Sequence, residues 1–599
     1  GKEIISKLST AEAAIHCASA VAGRLSKLAL RSNANNFAER FANPLVELSR
    51  RLCVVGELCS REHKDSGNGG GSEVATYRVL ACAGITLQGQ LAGLVAASQG
   101  EMIRRVIKQM LDGLYFSELA KLFPMRVSQD HVSAPNLLKI ATAIKLSGKS
   151  LSIEEFKAVA DTIYTFRAPS CSLPDPQRSR PLGGGPGGGP PKSSAPTISG
   201  YSYLLLLESL GILAPTPINP KTVSILFGPP MARLEDALVT ISKSNENGDS
   251  KSAVISAMDS LVELKACISH LKTDTAIRCL SGHLRTLSHA GSILSLAPKV
   301  CNLLQAALNG SSHMSEDIMR YACLAAEYSE KILTDPNADH RHAVYRGDTA
   351  PAAVKLAACC ASARGLGDKA LSRIVTAVEE VYRNLLDSPT GFDANPELAL
   401  EVMSLFRSVL ATPPGAEEEK VDGKIRFEGR MRFVEMILRR GLETQDRSAG
   451  REALSVLTCL VLSSPQAHKY RLGVSQGDNK RIKAFARPYP KQPWIGELVS
   501  NGLAKQLVFA LLIAANGRMA SFQLQSIVDA LRLISRSFPV EEVGRWIHAA
   551  LEVWPSQTKP AVKRDFFQRV MQCVREGDKN NHFKPLIKRF CGGKKKGGG

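Results

Sequence analysis

Apolar positions recur along this chain at the period of a helix, and sustained alternation of the kind a strand requires is absent. Leu371, Ile374, Val375, Val378, Tyr382 and Leu385 lie at offsets 0, 3, 4, 7, 11 and 14, which sets them on one helical face. Leu524, Ile527, Val528, Leu531, Ile534 and Phe538 repeat the pattern, and Val254, Met258, Leu261, Ile268 and Leu271 follow it less regularly. Boundary signals agree. Ser152-Ile153-Glu154-Glu155 is a capping box, in which the serine hydroxyl and the glutamate carboxylate each satisfy an orphan backbone N–H. Asn395-Pro396-Glu397 places a cap residue, a proline at the first helical position and an acid near the positive end of the dipole. Ser315-Glu316-Asp317 and Pro539-Val540-Glu541-Glu542 do similar work, and stops fall at Asp387–Gly391 and Thr412–Gly415.

Between these signals the helices have a regular size. The pattern predicts segments near 201–213, 220–242, 251–271, 276–293, 297–309, 315–334, 350–363, 367–386, 395–411, 427–442, 448–463, 496–515, 521–537, 540–554, 560–575 and 582–591. Pairs of them recur roughly every 40–47 residues, the period of HEAT or armadillo repeats. No single pair carries enough apolar face to fold alone, so stacking of neighbours must build the core. The expected fold is all-α, an α-solenoid of HEAT/armadillo-type helix-pair repeats. Residues 168–198, dense in proline and glycine, cannot be helix and read as a flexible linker or long inter-repeat loop. The expected organisation is therefore helical repeats over 1–167, the linker over 168–198, a HEAT superhelix over 199–591, and a Lys/Gly tail over 592–599. Two shorter breaks, Ser66–Ser72 and the stretch 411–426 with its acidic run Glu417–Glu419, read as solvated loops.

Composition narrows the class. Of 599 residues 44% are hydrophobic, enough to bury a large core and to exclude wholesale disorder. The longest uninterrupted apolar stretch, Leu507–Ala515, falls far short of the ~20 residues that span a bilayer, so no membrane insertion is expected. The 14 cysteines include no Cys-x-x-Cys pair, and most sit in apolar helical stretches, as buried free thiols do in the cytosol or nucleus. The chain opens on Gly1 and already reads as helix from Lys2, with no signal-peptide pattern; it is expected to begin partway through a longer protein or after a tag scar. The formal net charge is +20, which points to partners of opposite sign: nucleic acid, a membrane surface, or an acidic or phosphorylated protein.

Candidate chemistry is thin. Gly148-Lys149-Ser150 resembles the end of a phosphate-binding loop, but Ala143 stands where its first glycine belongs and the preceding segment is helical. His283 and His289, and His340 and His342, form loose clusters without cysteine partners or a helical His-x-x-x-His face. No nucleophile elbow or kinase signature occurs, so no catalytic residue, metal or cofactor is assigned and an enzyme is not expected. The basic runs are the candidate contacts for an acidic partner: Arg432, Arg439 and Arg440 in one, and Lys480, Arg481 and Lys483 in the other. The second is interleaved with Phe485, Tyr489 and Trp494, which matches a stacking-plus-charge surface for single-stranded RNA, although Pro488, Pro490 and Pro493 favour a solvated loop.

At the C-terminal third the residues carry a resemblance. The run from Gly517 through Phe538-Pro-Val-Glu-Glu-Val-Gly-Arg-Trp-Ile-His-Ala-Ala-Leu551, then Val562–Val570, closing on Phe590-Cys591, resembles the end of importin-β-type nuclear transport receptors, the karyopherins. Tyr201–Gly211 followed by Met231–Ile241 is similar to a mid-chain repeat of the transportin-3/importin-13 branch. The resemblance implies a superhelix that binds cargo proteins on its concave face under control of the GTPase Ran, contacts nuclear pore proteins, and shuttles between cytoplasm and nucleus. In that family the principal Ran-binding repeats lie near the N-terminus, upstream of where this chain opens, so no Ran contact is placed on a residue here. Such receptors are usually acidic, whereas this chain is +20, which suits acidic or phosphorylated cargo better than basic import signals. The alternatives are an RNA-binding α-solenoid and a generic HEAT-repeat scaffold.

Overall fold

The computed structural model describes residues 87, 89–90, 92, 107, 130–148, 150–165, 200–243, 249–308, 316–334, 348–362, 368–388, 390–411, 437–438, 440–463, 508, 511–512, 524–552, 554, 558–576 and 582–591. All regular structure among them is helical. The chain divides into two compact units, residues 1–290 and 291–599.

In the first unit, α1 (Asp130–Leu146), α3 (Gly200–Leu213) and α5 (Asp249–Ile268) follow one another side by side. Helix α2 (Ile153–Thr165) packs on α3 and on α4 (Pro220–Lys243), and α4 lies along α5. The capping box of α2 forms in both directions, Glu155 N–H to Ser152 Oγ at 3.2 Å and Ser152 N–H to Glu155 Oε2 at 2.8 Å. Asn219 caps α4 through Oδ1, which accepts the Thr222 N–H at 2.8 Å ahead of Pro220. Helix α3 buries nearly its whole circumference, because it has neighbours on several sides. The approach of α5 is close enough that a Cβ on Gly211 would run into the Cys267 carbonyl oxygen. The segment 168–198 lies outside the described residues, but α2 and α3 on either side of it pack together, so it joins helices of one unit.

Helix α4 continues through Pro229 and Pro230, a pair that ought to interrupt it. Pro230 has no N–H for the carbonyl of Leu226, four residues earlier. That carbonyl is supplied from outside the helix: the Tyr164 hydroxyl of α2 donates to it at 2.5 Å, and the Cys267 thiol of α5 at 3.8 Å. Nearby, buried Glu263 of α5 pairs with Arg233 of α4. Two short helices follow, α6 (Thr273–Ser281) and α7 (Leu284–Ser292), where the apolar period predicts one helix over 276–293. Gly282 ends α6, and the tight bond from His283 N–H to Leu280 O at 2.8 Å redirects the chain.

In the second unit α8 (Ala297–Leu308), α9 (Glu316–Leu333), α10 (Thr349–Ser362), α11 (Asp368–Leu385), the single turn α12 (Gly391–Ala394), α13 (Pro396–Ala411), α14 (Arg447–Ser463) and α15 (Leu524–Ser537) build two layers. Helices α8, α10, α13, α14 and α15 are successive neighbours in one layer, and α9 packs on α11 in the other. Their starts at Ala297, Thr349, Pro396 and Arg447 are spaced at or slightly above the period read from the sequence. Ala350, Ala353, Val354 and Ala357 of α10 and Ala399, Val402 and Phe406 of α13 are buried, so small residues on α10 let larger ones on α13 seat closely. The layers are also tied by a buried bond from Ser329 Oγ of α9 to Ala353 O of α10 at 2.7 Å. Helices α16 (Val540–Glu552), α17 (Pro560–Glu576) and α18 (Phe583–Cys591) close the unit as a small bundle with α15. Its centre is aromatic: Phe566 stacks on Phe590 with centroids 3.8 Å apart, and Trp554 lies 5.1 Å from Phe590.

Two face assignments shift. On α5 the buried stripe runs through Ala253, Ala257, Ser260, Leu261 and Leu264, leaving Val254 and Met258 half-exposed, because small residues face the neighbours on both sides. On α11 Ile374, Val375, Val378 and Tyr382 are buried, but the stripe ends on Leu386 rather than Leu385. The segments 427–442 and 496–515 lie mostly outside the described residues, as do 592–599; the positions described within the first two are helical.

Candidate partner-binding surface

Of the six basic residues singled out in the sequence, Arg432, Arg439, Lys480, Arg481 and Lys483 lie outside the described residues. Arg440 is described. It is half-buried ahead of α14, beside Tyr382, with Nη1 3.5 Å from Glu443 Oε2 one turn on. The local acid holds it close to its own helix. Next to it a polar joint fixes the approach to α14: Asp393 Oδ1 accepts the Thr444 hydroxyl at 2.5 Å and the Gln445 N–H at 2.8 Å. Asp446 Oδ1 then caps α14 by accepting from Ser448 and Ala449 N–H at 2.9 and 2.8 Å.

The second unit displays a ladder of ion pairs that the sequence did not reveal. Lys355 of α10 reaches Glu401 of α13 at 3.8 Å, and Arg407 of α13 reaches Glu452 of α14 at 2.6 Å. In the other layer Arg373 of α11 lies 3.3 Å from Glu330 of α9. In every case the cation is the outer partner: Lys355, Arg373 and Arg407 are 43%, 46% and 47% exposed, against 15%, 22% and 15% for their acids. Recessed acids under protruding cations give each rung a positive outer rim. Burial pushes the carboxyls of Glu401 and Glu452 above their ordinary value, against the opposing pull of Lys355 and Arg407 respectively. A single sequence carries no signal that pairs residues on helices a whole repeat apart, so the ladder is legible only in the fold.

Most of the described cysteines are buried. Burial raises the thiol of Cys267 to about 12 and those of Cys279 and Cys359 to about 11, and it also raises Cys301 and Cys360. These thiols are therefore protonated and unreactive at neutral pH. Gly148, the glycine of the phosphate-loop lookalike, ends α1 with φ +73° and donates its N–H to Lys145 O at 3.1 Å. It is a left-handed helix terminus of the kind glycine serves best. Among the described residues no group of three or more His, Cys, Asp or Glu is placed to hold a metal ion, and no helix is long and apolar enough to cross a membrane. His340 and His342 lie outside the described residues. Among the described residues of the second unit, charge is arranged across successive helices, which suits contact with another macromolecule.

No family model matches the sequence, and no curated protein matches it. Among solved structures it is similar to importin-13 in a cytosolic state, at 11% identity and a TM-score of 0.53, over 98% of this chain and 67% of that one. An engineered protein aligns over 93% of this chain and 99% of its own at 13% identity, with a TM-score of 0.26 that carries no likeness of fold. At 11% identity the first likeness is one of architecture alone. The chain is an all-α solenoid with the HEAT-repeat fold of an importin.

Proposed function

We propose that this chain is a nuclear transport receptor, or the cargo-binding part of one, of the transportin-3/importin-13 branch, acting by binding rather than catalysis. The observation that carries the reading is the all-α fold, whose likeness to importin-13 extends over 98% of the chain. The net charge of +20 and the outward-facing cations of the ion-pair ladder favour acidic or phosphorylated cargo. On this reading Ran GTPase and nuclear pore proteins are further partners, and the protein shuttles between cytoplasm and nucleus.

The test uses the full-length gene product in permeabilised cells, supplied with Ran, GTP and a fluorescent phosphorylated acidic protein. Nuclear accumulation should require the receptor, and Ran-GTP should release the cargo from it in solution. Absence of any affinity for Ran-GTP would overturn the transport reading.

A further inference from the structure

Helices α1 and α5 end, and α6 begins, at one corner of the first unit. Lys145, in the last turn of α1, turns its amine away from its own helix and donates to the carbonyl of His270, just past the end of α5. Lys272 follows two residues later as the N-cap of α6, its carbonyl accepting the Thr275 and Ala276 N–H groups at 2.9 Å each. Its side chain is exposed, and its charge bears on the Lys145 amine. The acid nearby is turned elsewhere: Glu208 Oε2 of α3 lies 3.4 Å from His270 Nε2.

This placement works against the charge on Lys145. The residue as a whole is exposed, yet its amine is folded down onto the end of α5. That covering, and after it the positive charge of Lys272, hold the ammonium below the ordinary lysine value. At neutral pH more of this amine is free base than an open lysine offers. A free lysine amine is a nucleophile, and burial or a neighbouring cation is how such an amine is activated.

The fold also tolerates what acylation leaves behind. An acylated lysine carries no charge and keeps a single N–H. At Lys145 one N–H suffices, because one carbonyl is served, and loss of the charge removes the repulsion from Lys272. Other described lysines are committed differently. Lys563 spends two N–H groups on the carbonyls of Leu551 and Trp554 at 2.9 Å each, closing the end of α16. Lys355 uses its charge to face Glu401 at 3.8 Å. Acylation of either would undo a contact that the second unit uses, whereas at Lys145 the bridge from α1 to α5 survives.

We propose that Lys145 is a modification site whose Nζ accepts an acetyl group from an acetyl thioester. The free amine attacks the thioester carbonyl, an N–C bond forms as the C–S bond breaks, and the proton that Nζ loses goes to the departing thiolate. The product removes one positive charge from the corner and keeps the hydrogen bond to His270. The inference stands on this corner of the first unit and does not depend on a transport role, so failure of the Ran-GTP test would leave it intact. Incubation of the full chain with acetyl-coenzyme A at pH 8, read site by site in peptide mass spectra, tests it. Lys145 should be acetylated about threefold faster than Lys157, Lys221 and Lys251, exposed lysines of the same unit. That lead should shrink as the pH rises toward about 10.4, where ordinary lysines also lose their protons. Lys272→Gln should slow Lys145 about twofold and leave the other three rates unchanged. Protein made with acetyl-lysine in place of Lys145 should melt no lower than the parent, while acetyl-lysine in place of Lys563 should lower the melting point. Acetylation of Lys145 no faster than of the other lysines, a lead that persists at high pH, no slowing in Lys272→Gln, or a lowered melting point with acetyl-lysine at 145 would overturn the proposal.

Discussion

The carbonyl of Leu226 shows how one residue's missing hydrogen is answered by another helix. Pro230 withholds the N–H that an ordinary residue would offer, and Tyr164 Oη supplies a hydrogen instead at 2.5 Å. Removing that hydroxyl leaves a half-satisfied carbonyl in the core, which costs on the order of 1–2 kcal/mol. Tyr164→Phe should therefore destabilise the protein by about that amount in urea titrations. Pro230→Ala restores the helical donor, and in that background the same Tyr164→Phe change should cost less than half as much. Equal costs in the two backgrounds would show that the tyrosine does not serve this carbonyl. The proline pair is visible in the sequence, but the tyrosine that serves Leu226 lies 62 residues before it on α2, and nothing local to either residue announces the bond.

At the scale of the element, legibility followed the range of the forces. Helices specified by local signals came out close to their sequence bounds: 220–242 became Pro220–Lys243, and 395–411 became Pro396–Ala411. Features set by tertiary contact did not. The apolar period of 276–293 runs unbroken past Gly282, so the turn that separates α6 from α7 is invisible to it. Gly282 has φ −67° and ψ −16°, an ordinary right-handed conformation, with nothing within 4 Å of where a Cβ would sit. Gly282→Ala should therefore raise stability by about 0.5–1 kcal/mol, read as a higher denaturation midpoint, whereas a lower midpoint would mean the turn needs glycine's freedom. The ion-pair ladder makes a second prediction. Burial raises the carboxyls of Glu401 and Glu452, so the fold holds their protons more tightly than the unfolded chain does. The penalty for ionising them is absent below their unfolded value, about 4.3, and is complete once the pH has passed their raised folded values. The stability of Glu401→Gln/Glu452→Gln relative to the parent protein should accordingly climb as pH rises from about 4.3 to neutrality. A relative stability that falls over that interval would show that Lys355 and Arg407 outweigh burial.

Over the whole molecule, a layered array obtains its core from neighbours, and stability should be regional for that reason. Each helix pair is held by the pairs beside it, so a local defect is felt over a few repeats and fades beyond them. The chain offers a way to see this, because its three tryptophans, Trp494, Trp546 and Trp554, all belong to the second compact unit. Tryptophan emission follows that unit alone, while far-ultraviolet circular dichroism follows every helix. Gly211 belongs to the first unit, where a side chain would press on the Cys267 carbonyl and force α3 and α5 apart. Gly211→Ala should cost about 1–3 kcal/mol as an overpacked contact against backbone that cannot swing away. In thermal unfolding its circular dichroism trace should acquire an earlier phase, with the tryptophan transition left where it was. Val402→Ala, which opens a cavity between α13 and its neighbours in the second unit, should move the tryptophan transition downward instead. If Gly211→Ala shifts both probes together by the same interval, the chain unfolds as a single cooperative block and the nearest-neighbour description of its stability fails. The period of 40–47 residues in the sequence is what makes regional unfolding the expected outcome, since a repeat of that length can touch only the repeats on either side of it.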